Sequence, residues 1–227
     1  MKSETTEPSD AIVRKVIVVD DHPLVRQGIA TLIAQEGDLE VCGEAASAAE
    51  ALQAMDQCMP DIALVDLTLK DSSGLELIKD MRIRFPKVQI LVLSMRDEGF
   101  YAERVLRAGA RGYVTKEEGR YRIIEGIRKV LAGQIYLSEK MATKVMGKIV
   151  GGIDPAGTSM DELTDRELEV FELIGKGLAT REIAGKLSIS SKTVDSHREH
   201  IKQKLQLETA ADLVKHAIQW VQCQKTI

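Results

Sequence analysis

Apolar positions in the first 131 residues alternate between two periods. Runs of strand length occur at Lys15–Val19, Leu39–Ala45, Asp61–Val65, Val88–Leu93 and Gly112–Val114. The segments between them carry helical spacing. Pro23–Gln35 opens with a proline, suited to a helix's first turn, and ends before Gly37. Ser47–Gln57 opens with an N-cap residue followed three positions later by Glu50, a capping box. Gly74–Arg84 places Leu75, Ile78 and Met81 on one stripe and stops before Pro86, and Glu98–Arg107 and Glu118–Leu131 complete the set. Strand and helix alternating five times predict a parallel sheet covered by helices on both faces.

The pattern changes after Ala132, with no further run of convincing strand length. Leu137–Ile149 predicts a helix. Gly151–Asp161 (GGIDPAGTSMD) has the Gly, Pro, Ser and Asp content of a linker. From Leu163 to Val221 helical spacing returns, broken by short polar turns, as in a small all-α domain near the lower size limit for independent folding. The expected organisation is a disordered tail over 1–13, an α/β domain over 14–131, a linker with one helix over 132–160, and a helical domain over 161–227.

Composition excludes several classes. A hydrophobic fraction of 44% is that of a globular protein. No apolar run approaches the ~18 residues of a membrane helix, and MKSETTEPSD lacks the apolar core of a secretory signal. Three scattered cysteines, Cys42, Cys58 and Cys223, argue against a disulfide framework or a zinc site and fit a reducing, cytoplasmic location. The net charge of −4 confines any nucleic-acid binding to a local patch.

The chemistry-bearing residues sit where the apolar runs end. Asp20 and Asp21 close the first run, Asp66 the third and Ser94 the fourth, and Lys116 follows the fifth. In an open doubly wound sheet of flavodoxin-like order 2-1-3-4-5, ligands bind outside the carboxyl ends of the strands, at the switch between strands one and three. The three aspartates would converge there. Their mutual repulsion calls for a hard cation, and an all-oxygen set favours Mg²⁺ or Mn²⁺ over zinc. Lys116 and Ser94 suit a developing phosphoryl anion. Asp66, alone at a central strand end, is the expected nucleophile for an acyl phosphate. A single Asp after a strand is ordinarily a cap or turn residue; five suitable residues on four strand ends are a different matter. His22 is expected to be a partly exposed loop residue. Met55, Met59, Met81 and Met95 are expected as core or gap fillers, and no GxxxxGK[ST] loop is present.

Taken together, VVDDHPLVRQG, PDIALVDLTLKDSSGLELI, ILVLSM and GARGYVTK resemble the receiver domain of bacterial response regulators over about Arg14 to Leu131. The resemblance implies Mg²⁺-dependent transfer of phosphate from a sensor histidine kinase to Asp66. Asp21, Asp66 and the Thr68 backbone carbonyl would ligate the metal directly, with Asp20 acting largely through water. Ser94 and Lys116 would be phosphate partners, Ser94 and Tyr113 the switch pair, and Thr68 a residue that tunes dephosphorylation.

In the helical domain, Thr164 and Glu167 form a second capping box ahead of a helix over Asp165–Ile174. Thr180 is expected to cap Arg181–Leu187. After a turn at Ser188–Ser190, a longer helix runs to Leu205, the spacing of a helix-turn-helix whose second helix can enter the major groove. Val194, His197, Ile201 and Leu205 make its inward stripe, so His197 is expected to be structural. Thr180 to Lys204 carries six basic and three acidic residues in an acidic chain. The expected DNA-contact set is Thr180, Ser191, Lys192, Thr193, Asp195, Ser196, Arg198, Glu199 and Lys202, with cations meeting phosphates and early helix positions reading bases.

The stretch LTDRELEVFELIGKGLATREIAGKLSISSKTVDSHREHIKQKL resembles the LuxR-type helix-turn-helix, and with the receiver the chain resembles a NarL/FixJ-type response regulator. That implies a transcription factor controlled by phosphorylation: no enzyme, although the receiver catalyses its own phosphorylation and dephosphorylation, acting with double-stranded DNA as a homodimer on activation and without a membrane. It also implies that the unphosphorylated receiver can cover the recognition helix. Asp195 and Glu199 are acidic where some members are basic. Two rival classes compete: a dehalogenase-type phosphatase, which would need an acid at position 68, where Thr68 stands, and a receiver whose helical domain binds a protein.

Overall fold

The computed structural model describes residues 13–70, 73–151 and 159–224. The expected N-terminal tail up to residue 12 and the centre of the expected linker, 152–158, lie outside them.

Five strands, β1 (Arg14–Val19), β2 (Leu39–Ala45), β3 (Ile62–Val65), β4 (Gln89–Ser94) and β5 (Gly112–Thr115), form one parallel sheet in the order β2-β1-β3-β4-β5. Alternate side chains along a strand face opposite sides, and both sides are apolar here. Val16, Val18, Leu64 and Leu91 pack under α1 (Pro23–Ile33) and α5 (Arg120–Leu131) through Ile29, Ile33, Ile127 and Val130. Ile17, Val19, Ala63, Val65 and Val92 pack under α2 (Ala48–Cys58), α3 (Gly74–Arg84) and α4 (Glu98–Ala108) through Met55, Ile78, Met81 and Val105. At roughly 1.5–3 kcal/mol per fully buried large apolar side chain, these two layers hold the sheet. Met55 and Met81 are core residues as expected, but Met59 and Met95 are largely exposed. Met59 caps α2 in the left-handed region (φ 44°), and Met95 follows β4 into the mouth of the cleft described below.

One strand-like contact was not expected. Tyr136 forms a single parallel bridge with Gly112. The Tyr113 N–H donates to the Tyr136 carbonyl (2.8 Å), and the Tyr136 N–H donates to the Arg111 carbonyl (2.9 Å). It covers part of an edge that would otherwise present unpaired backbone groups. The linker helix α6 (Glu139–Gly151) follows.

After a short 3-10 turn at Ser159–Glu162 come α7 (Asp165–Gly175), α8 (Thr180–Lys186), α9 (Ser191–Lys204) and α10 (Ala210–Gln224). α7 begins with the expected Thr164–Glu167 capping box. α8 does not begin as expected. Its cap position is Ala179, whose N–H donates to the Glu182 carboxylate (2.7 Å), and Thr180 is the first helical residue. Glu182 takes the cap residue's own amide, whereas a cap hydroxyl would take an amide two or three residues further on. α7 is buried around most of its circumference, including Glu167, Glu169 and Glu172. It is flanked by α9 and α10 and, on a third side, by the α/β domain. Gly175 allows the closest approach: a Cβ there would fall 2.3 Å from the Ala217 carbonyl of α10. Among the described residues, no helix is long and apolar enough to cross a membrane.

Candidate functional site

The sheet register places the strand-end residues at one level. Val19 pairs with Val65, Val65 with Val92, and Ser94 with Thr115. The ladder continues for one residue beyond β1 and β3: the Asp66 N–H donates to the Val19 carbonyl (2.9 Å) and the Asp20 N–H to the Ala45 carbonyl (3.0 Å). Asp20 and Asp66 are therefore carried into the cleft on rigid backbone, 2% and 4% exposed. Gly74, the first residue of α3, passes directly over Asp66: a Cβ at Gly74 would lie 2.0 Å from the Asp66 carbonyl oxygen.

Lys116 closes the cluster. Its Nζ lies 2.5 Å from Asp20 Oδ2 and 2.6 Å from Asp66 Oδ2. Burial alone would lower its pKa, but Asp66 and Asp20 outweigh burial and hold the ammonium above its ordinary value. On the other side of Asp66, Oδ1 accepts from the Ser94 hydroxyl (2.8 Å) and from the Thr68 N–H (3.2 Å). Asp20 Oδ1 accepts from the His22 N–H (2.9 Å). Asp21 differs: its Oδ1 is buried without a hydrogen-bond partner, and His22 Nδ1 lies 2.7 Å from it. Candidate ligand atoms of Asp20, Asp21, His22 and Asp66 lie within 4.8 Å of one another. Carboxylate oxygens dominate the set and one of them is orphaned, which fits a hard divalent cation. A cavity of about 560 Å³ opens over them, lined by His22, Asp66, Thr68, Met95, Lys116 and, from α7's end, Lys176.

The strand-end cluster extends into the helical domain. Tyr113 is turned inward, and its hydroxyl donates to the Arg96 carbonyl (2.8 Å). Burial pushes its phenol well above the ordinary range. The Arg96 Nε donates to Thr68 Oγ1 (3.2 Å), two residues from Asp66. Its Nη1 reaches both the Tyr101 hydroxyl and the Glu172 carboxylate of α7. The Tyr101 hydroxyl donates to the same carboxylate (2.8 Å), and Lys176 Nζ lies 2.5 Å from its other oxygen. Burial would raise Glu172, but Arg96 and Lys176 hold it below the usual carboxylate range. Around this centre, Asp165 takes Lys79 of α3 and Arg104 of α4, each at 3.0 Å, and Arg104 also donates to the Met160 carbonyl (3.0 Å). Phe100 of α4 meets Trp220 of α10 edge to face at 5.1 Å, and Trp220 meets Phe171 at 5.7 Å.

In the helix-turn-helix, the Ser190 hydroxyl accepts from the Thr193 N–H (3.0 Å) and starts α9. Val194 and Ile201 are buried, and His197 lies half-buried on the same stripe, its imidazole held below the ordinary value by burial. Lys192, Thr193, Asp195, Ser196 and Glu199 are exposed, and Thr180, Ser191, Arg198 and Lys202 are half-exposed. Lys202 pairs with Glu199 (2.9 Å). The contacts that join the two halves run to Met160, α7 and α10, and the outward face of α9 is open to solvent.

A parallel sheet with acids at its switch point, followed by a helix-turn-helix, defines a phosphorylation-regulated DNA-binding class of fold. Residues 16–128 match the response regulator receiver domain model, and residues 161–217 match that of bacterial regulatory proteins of the luxR family. The oxygen regulatory protein NreC of Staphylococcus carnosus is 37% identical over 209 residues, covering 90% of this chain and 96% of NreC. RcsB of Salmonella enterica serovar Typhimurium, solved bound to a promoter in the presence of the phosphomimetic BeF3−, is similar at 26% identity and a TM-score of 0.67, over 90% of this chain and 98% of RcsB. A structure of two RcsB dimers bound to two parallel DNAs is similar at 27% identity and a TM-score of 0.56, over 89% of this chain and 97% of RcsB. The chain belongs to the two-component response regulators with a receiver and a LuxR-type helix-turn-helix, and it is a phosphorylation-dependent transcriptional regulator.

Sequence reasoning brought Asp20, Asp21, Asp66, Ser94 and Lys116 to one place. It did not find Arg96, Glu172 or Lys176. Arg96 and Glu172 stand 76 positions apart, and no periodicity links them. The one local signal is Glu172 itself, an acid on the buried side of α7 next to Phe171.

Proposed function

We propose that Asp66 is the phospho-acceptor and that a sensor histidine kinase supplies the phosphoryl group. The observation that carries this reading is the set of contacts around the Asp66 carboxylate: Lys116 on Oδ2, Ser94 and the Thr68 amide on Oδ1, under an open cavity. A carboxylate oxygen of Asp66 attacks phosphorus, the bond to the kinase imidazole breaks, and the imidazole nitrogen keeps the electron pair. Lys116 and the Ser94 hydroxyl then face the phosphoryl oxygens. Asp20, Asp21, Asp66 and the Thr68 carbonyl would hold Mg²⁺ or Mn²⁺, whose charge offsets that of the phosphoryl group.

In this reading residues 14–131 are the receiver, 132–160 the linker and 161–227 the DNA-binding domain of a cytoplasmic protein. Phosphorylation is read through Arg96, because a phosphoryl group beside Thr68 competes with Glu172 for the guanidinium. Control then lies in how α7 is held rather than in burial of α9. The freed protein binds double-stranded DNA as a homodimer. Lys192, Arg198 and Lys202 meet phosphates, Thr180, Ser191 and Thr193 fix the register, and Asp195, Ser196 and Glu199 face base edges, the acids suited to cytosine N4.

The test is labelling by acetyl phosphate in Mg²⁺, with capture of genomic DNA fragments before and after. The parent should label and gain sequence-selective, salt-dependent binding, and Asp66→Ala should do neither. Equal labelling of Asp66→Ala would overturn the acceptor assignment. Binding that is indifferent to phosphorylation would overturn the coupling.

A further inference from the structure

A second reactive pair lies at the far edge of the receiver, apart from the phosphorylation cleft. β2 is an edge strand, and its register against β1 slips once: Val16 pairs with Val41, but Ile17 pairs with Gly43. Cys42 is the residue left over. Bulges are rare in parallel pairs, and they re-aim a side chain. Here the re-aimed side chain meets Cys58, the last residue of α2, with Sγ to Sγ 2.7 Å. That is only a little longer than the ~2.05 Å of a covalent S–S bond. Both cysteines are free thiols and half-buried, so they remain within reach of a small oxidant.

We propose that Cys42 and Cys58 are a redox-modification site that closes to a disulfide on exposure to a hydroperoxide and reopens with a dithiol reductant. Either sulfur can begin, because the two face each other at 2.7 Å. One of them attacks the peroxide, the O–O bond breaks, and an alcohol or water leaves, with that cysteine oxidised to the sulfenic acid. The other sulfur then attacks it. The S–S bond forms, the S–O bond breaks, and the hydroxide leaves as water with the proton of the attacking thiol. Two thiols and one hydroperoxide thus give one disulfide, one alcohol or water, and one further water. A dithiol reverses the closure by thiol–disulfide exchange.

The closed loop spans Cys42 to Cys58 and ties β2 to α2, on the sheet face that also carries α3 and α4. Oxidation should therefore staple the receiver edge, raising its thermal midpoint by roughly 5 °C. Lys116, Asp66 and α9 are untouched, so labelling of Asp66 should be unchanged.

The experiment uses the full chain, fully reduced and then treated with hydrogen peroxide, blocked with N-ethylmaleimide and mapped by mass spectrometry. The expected product has lost two hydrogens and carries a Cys42–Cys58 cross-linked peptide. In Cys42→Ser and Cys58→Ser, neither of which can close the link, dimedone should trap a sulfenic acid at the remaining cysteine of at least one. If both thiols of the folded parent still alkylate after peroxide, or if they advance to sulfinic acid without a link, the site is overturned.

Discussion

The strand-end cleft and the outer face of α9 are both polar, and they are built on opposite principles. In the cleft, Asp20, Asp66, Ser94 and Lys116 arrive from four strand ends and are locked by one another at 2.5–2.8 Å, nearly buried. On α9, the candidate contacts come from consecutive turns of one helix, exposed and lightly paired. Topology makes the first site: once the sheet order is fixed, those residues can only meet. The second is made by its ligand, since among the described residues no side-chain partner orients Lys192, and Asp195 accepts only a long hydrogen bond from the Thr180 hydroxyl (3.5 Å). Variants should therefore act on the cleft through backbone position and on α9 through charge.

The largest effect is expected at Gly74. A Cβ there would sit 2.0 Å from the Asp66 carbonyl and 2.6 Å from the Leu67 Cα, both main-chain atoms that cannot swing away. Gly74→Ala should cost about 3 kcal/mol or more of receiver stability, at the upper end for overpacking, and should lower phosphorylation of whatever remains folded. Urea unfolding and acetyl phosphate labelling check both. Near-parental stability would mean that α3 slides freely over the acceptor, and the rigidity claimed for the cleft would fail.

The same contrast explains what the sequence made legible. Alternating periods gave the sheet and the level of its strand ends, its order came with the flavodoxin-like winding, and the cleft followed because its residues close those strands. The outward face of α9 was equally readable, since Val194 and Ile201 mark the inward side. Three things were hidden. Gly74 looked like a helix start rather than a clearance. Thr180 looked like a cap because the local motif permits it, yet Glu182 reaches the Ala179 amide instead. The Arg96–Glu172 contact depends on how one domain sits on another, a relation no short-range spacing encodes.

That contact yields the next effect in size. Arg96 and Glu172 are mostly buried, with side chains 14% and 6% exposed. Glu172→Gln keeps the shape and an acceptor but removes the charge, so the interdomain hold should weaken by about 2 kcal/mol, below the range for outright loss of a buried partner. Small-angle scattering should show a more extended molecule, and DNA affinity without phosphate should rise. The pH dependence has a definite sign. Glu172 is held below its ordinary 4.5, so its contribution is fully present above that value and is lost as pH falls through the lowered pKa. The parent should extend in that acid window, and Glu172→Gln should lose this step. A parent and variant that extend together would place the hold elsewhere, on Asp165 or Trp220.

The smallest effect separates the two kinds of charge on α9. Lys192 is exposed in the first turn, and a cation there meets phosphates, so Lys192→Ala should weaken binding several-fold on every sequence and reduce the salt slope by about 1. Asp195, one turn on and equally exposed, repels phosphate and can only gain at a base edge. Asp195→Ala should leave the salt slope nearly unchanged or slightly strengthen general binding, while relaxing preference at one position by about 1–3 kcal/mol. Titration of a selected fragment and a scrambled one at two salt concentrations separates these outcomes. If Asp195→Ala strengthens both fragments alike, the acid is only a brake on non-specific binding, and sequence is read from other positions on the helix.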